Sequence, residues 1–234
     1  STSTSTSTST TTSSSSSSSD DPSEIVYMNS FGNSGSKHRV GFDASDILEN
    51  ARKSILKLLK VEDSHLLVFT SGATESNNFS IKSLARQFHN RGNTIITSKG
   101  EHPSVLKTFE SLGKEGFNVK YVSLLPNGQV NLDELETLID NDTIIVSIME
   151  VNNEVGAIND INKILKIVRK YPKVYLHIDA TQAIGKLHPN YKDVDMVSFS
   201  AHKFGGVKGV GGLLIKNKIS PYRKWSTTFL SNIY

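Results

Sequence analysis

Short runs of consecutive apolar residues recur along this chain, and they alternate with longer segments in which apolar positions repeat about every 3.6 residues. The short runs have the length of strands, whereas the periodic segments are typical of helices with one buried face. Strands are predicted at residues 66–69, 94–97, 118–122, 143–149, 174–178, 195–199 and 212–215. Helices are predicted over about 45–59, from the loop at 70–76 to about 90, and over 103–112, 132–139 and 161–170.

Two helix ends are predicted from capping residues. Asp43 or Ser45 caps the first helix, and Gly113 lies just beyond the end of the helix that begins at Pro103. The 3.6-residue period predicts the buried face of the first helix to consist of Ile47, Leu48, Ala51, Ile55, Leu58 and Leu59.

The predicted strands show no alternation of apolar and polar residues, and helices separate them along the chain. Such strands belong to a mostly parallel sheet with helices on both faces, so the fold class is α/β. Ligands of these sheets bind beyond the carboxyl ends of the strands. The loops after Phe69, Thr97, Met149, Ile178 and Phe199 are therefore expected to converge on one crevice.

Composition narrows the alternatives. Residues 1–19 are only Ser and Thr, so residues 1–24 are predicted to be a disordered tail and residues 25–234 one domain. The chain has a net charge of +3 without a basic stripe, so nucleic-acid binding is not expected. It contains no cysteine, which excludes disulfides, Cys-bound zinc and thiol catalysis by this chain. No apolar run approaches the roughly 20 residues needed to cross a bilayer, and the compartment stays open between cytoplasm and mitochondrion.

Two residues at strand ends indicate a particular cofactor. Asp179 follows one apolar run, and Lys203 follows the next, 24 residues later. An Asp that keeps a pyridine nitrogen protonated, together with a Lys that forms a Schiff base with an aldehyde, is how proteins hold pyridoxal 5′-phosphate (PLP). An exposed, solvated charge is the alternative for Lys203.

Other loops offer groups that such a cofactor needs. The turn at residues 70–75 joins a strand to a helix and can bind phosphate, although it can also be a simple capped turn. His102 can stack on a flat ring and exchange protons, or it can pack against the next helix. Asn153 and Gln182 can donate to a phenolate oxygen, whereas Asn residues also simply make turns. Ser200 and His202 flank Lys203 and can form a second side of a phosphate site.

A metal site is the rival interpretation. His102, His177, Asp179 and His202 are all possible ligands, and His177 and Asp179 share one face of a strand. The helical zinc pattern is absent and nothing marks a general base, so no metal is predicted.

Taken together, these loops resemble the NifS-like cysteine desulfurases, within the class V aminotransferase family of PLP enzymes. The resemblance covers about residues 32–215, and six motifs in the same order carry it. They lie at residues 32–33 with His38, 69–78, 101–102, 151–156, 179–186 and 198–204.

The resemblance implies a role for each matching position. Lys203 would form the Schiff base and Asp179 would contact the pyridine nitrogen, while His102 would stack on the ring and act in catalysis. Asn153 and Gln182 would contact the phenolic oxygen. The phosphate would be bound by Ala73, Thr74, Ser200 and His202, and Ala201 would be a further cofactor-binding residue.

The resemblance also implies an activity. In the family, PLP and a Cys on a C-terminal small domain convert L-cysteine to alanine and an enzyme persulfide, which supplies sulfur for iron–sulfur clusters and thio-cofactors. A homodimer and a sulfur acceptor or scaffold protein would be the partners.

This chain departs from the family pattern in several places. The opening strand with its Asp and Ala-Thr-Thr turn is missing, and the usual Gly-Pro-Lys-Gly reads Gly-Val-Lys-Gly at 206–209. The small domain, with the persulfide Cys and the substrate-binding Arg, is also absent, so the PLP-binding large domain is incomplete. A selenocysteine lyase and a truncated, non-catalytic protein of the same fold remain as alternatives.

Overall fold

The computed structural model describes residues 39–187, 190–201 and 209–219. The chain divides into two compact units, Ser1–Leu48 and Glu49–Tyr234. The strands described below all belong to the second unit. The prediction of a disordered tail at residues 1–24 falls outside the described residues.

Seven strands and five α-helices are described in these ranges. The strands are β1 (His65–Thr70), β2 (Thr94–Ser98), β3 (Asn118–Val122), β4 (Thr143–Met149), β5 (Tyr175–Asp179), β6 (Met196–Ser200) and β7 (Gly211–Lys216). The helices are α1 (Arg39–Leu58), α2 (Ala73–Phe88), α3 (Pro103–Lys114), α4 (Leu132–Leu138) and α5 (Ile161–Val168), and a short 3-10 helix (His89–Arg91) follows α2.

The strands form one sheet in the order β1-β7-β6-β5-β4-β2-β3. Neighbours from β6 to β3 are parallel, whereas β7 is antiparallel to both β1 and β6. The predicted α/β class with a mostly parallel sheet is confirmed. Because β7 runs the other way, the loops after β1 and β6 lie at the edge of the sheet where β7 begins.

Apolar side chains cover both faces of the sheet. All seven residues of β4 are buried, and its isoleucines and valine divide between two clusters: Ile145 packs in one and Val146 in the other. Helices α2 and α3 contribute Leu84 and Phe109 to the first cluster, and α4 and α5 contribute residues such as Leu135 to the second. This two-sided burial explains the apolar runs without alternation, and it confirms that helices lie on both faces.

Two predicted helix ends were wrong by a few residues. Helix α1 includes Arg39 and therefore starts before Asp43. Of the residues predicted on its buried face, Ile47, Leu48 and Leu58 are exposed, Leu58 to 79%. Helix α3 continues through Gly113 to Lys114, because Gly116 takes the left-handed conformation (φ +102°) that ends the helix. Within the described ranges, no helix is both long and apolar enough to cross a membrane.

Candidate functional site

A cavity of about 590 Å³ lies at the carboxyl ends of the strands. The loops after β1, β2, β4, β5 and β6 all contribute to its walls, as the parallel topology predicts. Seven of the predicted site residues line it: Ala73, Thr74, His102, Asn153, Asp179, Gln182 and Ser200.

The last residue of β5 supplies a fixed carboxylate. Asp179 is 5% exposed, and its Oδ1 accepts hydrogen bonds from the backbone N–H of Thr181 at 3.0 Å and from the Thr181 hydroxyl at 2.6 Å. Its Oδ2 accepts from Nδ2 of Asn77 at 2.9 Å. These donors hold the carboxylate in one orientation at the wall of the cavity.

His102 caps the N-terminus of α3. Its Nδ1 accepts a hydrogen bond from the backbone N–H of Ser104 at 3.2 Å, and it lies 2.8 Å from Oγ of the same residue. Since Nδ1 is engaged by the helix, Nε2 is the ring atom that can exchange a proton with a ligand.

The loop after β1 forms another part of the cavity wall. Gly72 is the N-cap of α2 with φ +154°, and helix geometry leaves the N–H groups of the first turn without intrahelical acceptors. Ser71 donates its N–H and its hydroxyl to the Glu75 carboxylate, both at 2.7 Å, which closes the turn. A Cβ built on Gly72 would lie 3.9 Å from Oγ of Ser200, so the ends of β1 and β6 meet here.

This arrangement fits PLP. A phosphate suits the free N–H groups and the positive end of the α2 dipole, and a protonated pyridine nitrogen suits the Asp179 carboxylate. The volume lies within the range of small-molecule sites. Among the described residues, the cavity therefore offers complementary groups for both ends of the cofactor.

Three predicted site residues are not seen at the cavity. His202 and Lys203 lie outside the described residues. Ala201 is described, but it is not among the residues that line the cavity, and its backbone N–H donates to the carbonyl oxygen of Val210 at 2.9 Å.

The two adjacent asparagines after β4 have different surroundings. Asn152 is buried, and its Oδ1 accepts from the N–H groups of Glu154 and Val155 at 2.9 and 3.0 Å. Its Nδ2 donates to the carbonyl oxygen of Gly100 at 3.2 Å. Asn152 thus makes the turn, and Asn153 lines the cavity.

His177 belongs to the interior of the sheet. Its Nδ1 lies 2.8 Å from Oγ of Ser147, and its Nε2 lies 2.8 Å from Oγ of Ser198. Burial lowers the pKa of His177 to about 4, so the ring is neutral at pH 7. Both ring nitrogens are already engaged, which removes His177 from the rival metal set, and the described part of the chain contains no cluster of three or more possible metal ligands.

Two buried carboxyl groups lie close to the site. Glu101 precedes His102, and burial raises its pKa to about 8. Glu150 follows β4, and burial raises its pKa to about 7, while the Tyr191 hydroxyl donates to its Oε2 at 2.5 Å. Both groups favour the protonated form more than an exposed carboxyl does.

Sequence reasoning gave no role to Asn77, Ser104 or Thr181. Thr181 lies two residues after Asp179, a spacing typical of side-chain turns. Asn77 lies in the second turn of α2 and Ser104 in the first turn of α3, and only the packing of those helices brings them together. No local pattern marks that contact.

Comparison with known proteins identifies the family. Residues 9–227 match the aminotransferase class-V family. The chain is 48% identical to cysteine desulfurase IscS of Buchnera aphidicola subsp. Acyrthosiphon pisum (strain 5A) over 191 residues, which cover 80% of this chain and 47% of the relative. It therefore spans about half the length of the curated relatives it matches.

Solved structures give the same result. A NifS-like protein superposes with a TM-score of 0.78 at 44% identity, covering 84% of this chain and 54% of that one. A structure of SspA in complex with cysteine superposes with a TM-score of 0.75 at 34% identity, covering 82% and 55%. Sheet topology, site geometry and sequence agree: the chain belongs to the aminotransferase class-V family of PLP-dependent enzymes.

Proposed function

We propose that this chain is the PLP-binding portion of a cysteine desulfurase. The observation that carries the proposal is the cavity whose walls include both Asp179 and the N-terminal residues of α2. The identity to IscS and to a NifS-like protein supports the same activity. Selenocysteine lyase is the alternative within this chemistry.

The proposal gives each residue a task. When bound, PLP supplies an electron sink that activates the bonds of an amino acid joined to its aldehyde. Asp179 binds the pyridine nitrogen, and Asn153 and Gln182 bind the ring oxygen. His102 stacks on the ring and holds a proton at Nε2, and Lys203 is the covalent anchor. The phosphate is bound by Ala73, Thr74, Ser200 and His202.

The substrate and partners belong to the same proposal. The structure of SspA was solved with cysteine, which supports L-cysteine as the amino acid for this chain. A homodimer and a sulfur acceptor or scaffold protein complete the proposed assembly. The domain proposed for residues 25–234 is then a large domain that works with a persulfide-forming cysteine.

Chemical trapping of the anchor lysine tests the proposal. The protein is incubated with PLP, reduced with borohydride, digested and mapped by mass spectrometry. We expect the reduced adduct on Lys203, because only the anchor lysine meets an aldehyde held by both ends of the cavity.

Lys208 provides a matched control, since it lies in the same Gly-rich segment. Lys208→Ala is expected to label as the unaltered protein does, whereas Lys203→Ala is expected to lose the adduct. Labelling spread over several lysines, or retained in Lys203→Ala, would contradict the proposal.

A further inference from the structure

A continuous chain of hydrogen bonds joins His102 to Asp179 across the interface of α2 and α3. Nδ1 of His102 lies 2.8 Å from Oγ of Ser104, and Nδ2 of Asn77 donates to that Oγ at 3.1 Å. The same Nδ2 donates to Oδ2 of Asp179 at 2.9 Å. Asn77 is 1% exposed and Ser104 8% exposed, so water does not compete strongly for these contacts.

Each hydrogen bond in this chain has a defined direction. The Asp179 carboxylate accepts hydrogen bonds, so the Asn77 amide presents its N–H groups and uses one on Asp179 and one on Ser104. Nδ1 of His102 accepts from the backbone N–H of Ser104 at 3.2 Å, so it carries no hydrogen, and the Ser104 hydroxyl, which accepts from Asn77, donates its own hydrogen to Nδ1. Nδ1 is then an acceptor, and the neutral ring carries its hydrogen on Nε2.

The remaining atom of Asn77 supports this orientation. Within the described residues, Oδ1 of Asn77 is buried and has no hydrogen-bond partner. A flipped amide would place an oxygen against the Asp179 carboxylate and lose both donations. The fold leaves one acceptor unpaired and keeps the two donors where they orient other side chains.

We propose that Asn77 and Ser104 are positioning residues that hold the Asp179 carboxylate and the His102 ring in one fixed mutual arrangement. Neither residue needs to contact the substrate, because each acts through the side chain it orients. A role of these two residues in catalysis rests on the proposed function, but the hydrogen-bond chain itself can be tested without cofactor.

The contact to Asp179 is tested by cofactor affinity. The dissociation constant of the full chain is measured for PLP and for the analogue in which C–H replaces the pyridine nitrogen. Asn77→Ala is expected to weaken PLP about tenfold, equivalent to ~1.4 kcal/mol, and to change the affinity for the analogue by less than about twofold. The analogue is insensitive because it makes no hydrogen bond to the carboxylate.

Asn78 is the matched control, since it is the same residue type on the same helix. Its Nδ2 donates to the Thr74 carbonyl and its Oδ1 accepts from the Thr108 hydroxyl, and neither contact involves Asp179. Asn78→Ala is expected to bind both ligands as the unaltered protein does. Equal losses for PLP and analogue in Asn77→Ala, or no loss for either, would overturn the positioning role toward Asp179.

The contact to His102 is tested in the cofactor-free chain by ¹⁵N NMR of the imidazole nitrogens, with His102→Gln identifying the signals. We expect an Nδ1 without hydrogen in the unaltered protein. Asn77→Ala and Ser104→Ala should shift the Nδ1 resonance, whereas Asn78→Ala and the hydroxyl-retaining Ser104→Thr should not. An unchanged resonance in Asn77→Ala would disprove the link to His102.

The two measurements separate the hypotheses. If the unaltered chain fails to bind PLP, the proposed function is contradicted, while the NMR comparison still decides whether Asn77 and Ser104 orient His102.

Discussion

Glu101 shows how far the surroundings of one residue can change its chemistry. Its Oε1 accepts from the Ser98 hydroxyl at 2.6 Å and from the Met149 N–H at 2.9 Å. Its Oε2 is buried and has no partner among the described residues. Desolvation outweighs both hydrogen bonds and raises the pKa of Glu101 to about 8. The side chain thus joins the ends of β2 and β4 as a neutral acid.

Glu101→Gln is expected to stabilise the protein at alkaline pH. The unfolded carboxyl releases its proton near its ordinary pKa of 4.5, whereas the folded one holds it to about 8. Stability therefore falls as pH rises through this window, because the folded state binds more protons. Urea unfolding from pH 5 to pH 9 should show the variant gaining on the order of a few kcal/mol relative to the unaltered protein.

Glu110→Gln is the control for this measurement, because Glu110 is an exposed residue of α3. Comparing variants at equal pH cancels the contributions of Glu150 and His177. A constant difference between Glu101→Gln and the unaltered protein across the whole pH range would show that Glu101 titrates normally.

At this scale the sequence indicates which side chains are candidates for the site, but it does not show which hydrogen-bond partners each side chain has. Asn152 and Asn153 are adjacent and chemically identical, yet one makes a turn and the other lines the cavity. His177 looks like a metal ligand because the serines that engage it, Ser147 and Ser198, belong to neighbouring strands. Only the strand register brings these side chains together.

At the scale of elements, the start of β7 packs closely against the backbone of the loop after β1. Gly211 pairs with Thr70 on one side and with Ser200 on the other. A Cβ built there would lie 2.5 Å from Cα of Gly72 and 2.8 Å from the carbonyl oxygen of Phe199. Both neighbours are backbone atoms and cannot rotate away.

Gly211→Ala is expected to destabilise the protein by about 1–3 kcal/mol, the usual cost of overpacking. The added methyl group should also push the Gly72 loop away from Ser200 and weaken PLP binding. Urea unfolding and a PLP titration measure the two effects.

Gly113→Ala is the matched control. It lies within α3, and its added Cβ would meet a side-chain methyl group of Val119 at 3.3 Å rather than backbone. Alanine also favours the helical conformation over glycine, so little destabilisation is expected. Equal stability of Gly211→Ala and the unaltered protein would contradict the close approach of the two backbones.

Element positions were predicted more accurately than element ends. Strands β3 and β4 match their predicted bounds; for β4 the limits are sharp because all seven of its residues are buried. Helix α3 passes its expected stop at Gly113 and ends at Lys114, because Gly116 and not Gly113 takes the left-handed conformation. The sequence offers both glycines, and only the folded chain shows which of them ends the helix.

At the scale of the whole molecule, this chain builds the cavity but does not contain the cysteine that the proposed chemistry needs. The cavity gathers residues from Ser71 to Gly209, so most of the chain takes part in building it. The 234-residue sequence contains no cysteine. If the chain acts in the proposed reaction, the persulfide forms on a cysteine that is not in this sequence.

We expect no sulfide release from L-cysteine by this chain with PLP and a reductant, beyond the rate of a Lys203→Ala blank. Adding a separate C-terminal half of a full-length desulfurase should restore release if the halves associate. A sulfide assay checks both conditions. Release by this chain alone would show that its chemistry needs no persulfide cysteine.

The position of β7 has a consequence for the order of assembly. Of the strands described here, β1 pairs with β7 alone, although about 150 residues separate Leu67 from its partner Leu214. Contacts so distant in sequence form late. A nascent polypeptide must therefore be synthesised beyond Lys216 before β1 is paired in the sheet. Binding of the coenzyme is then expected to follow the folding of the sheet and not to start it.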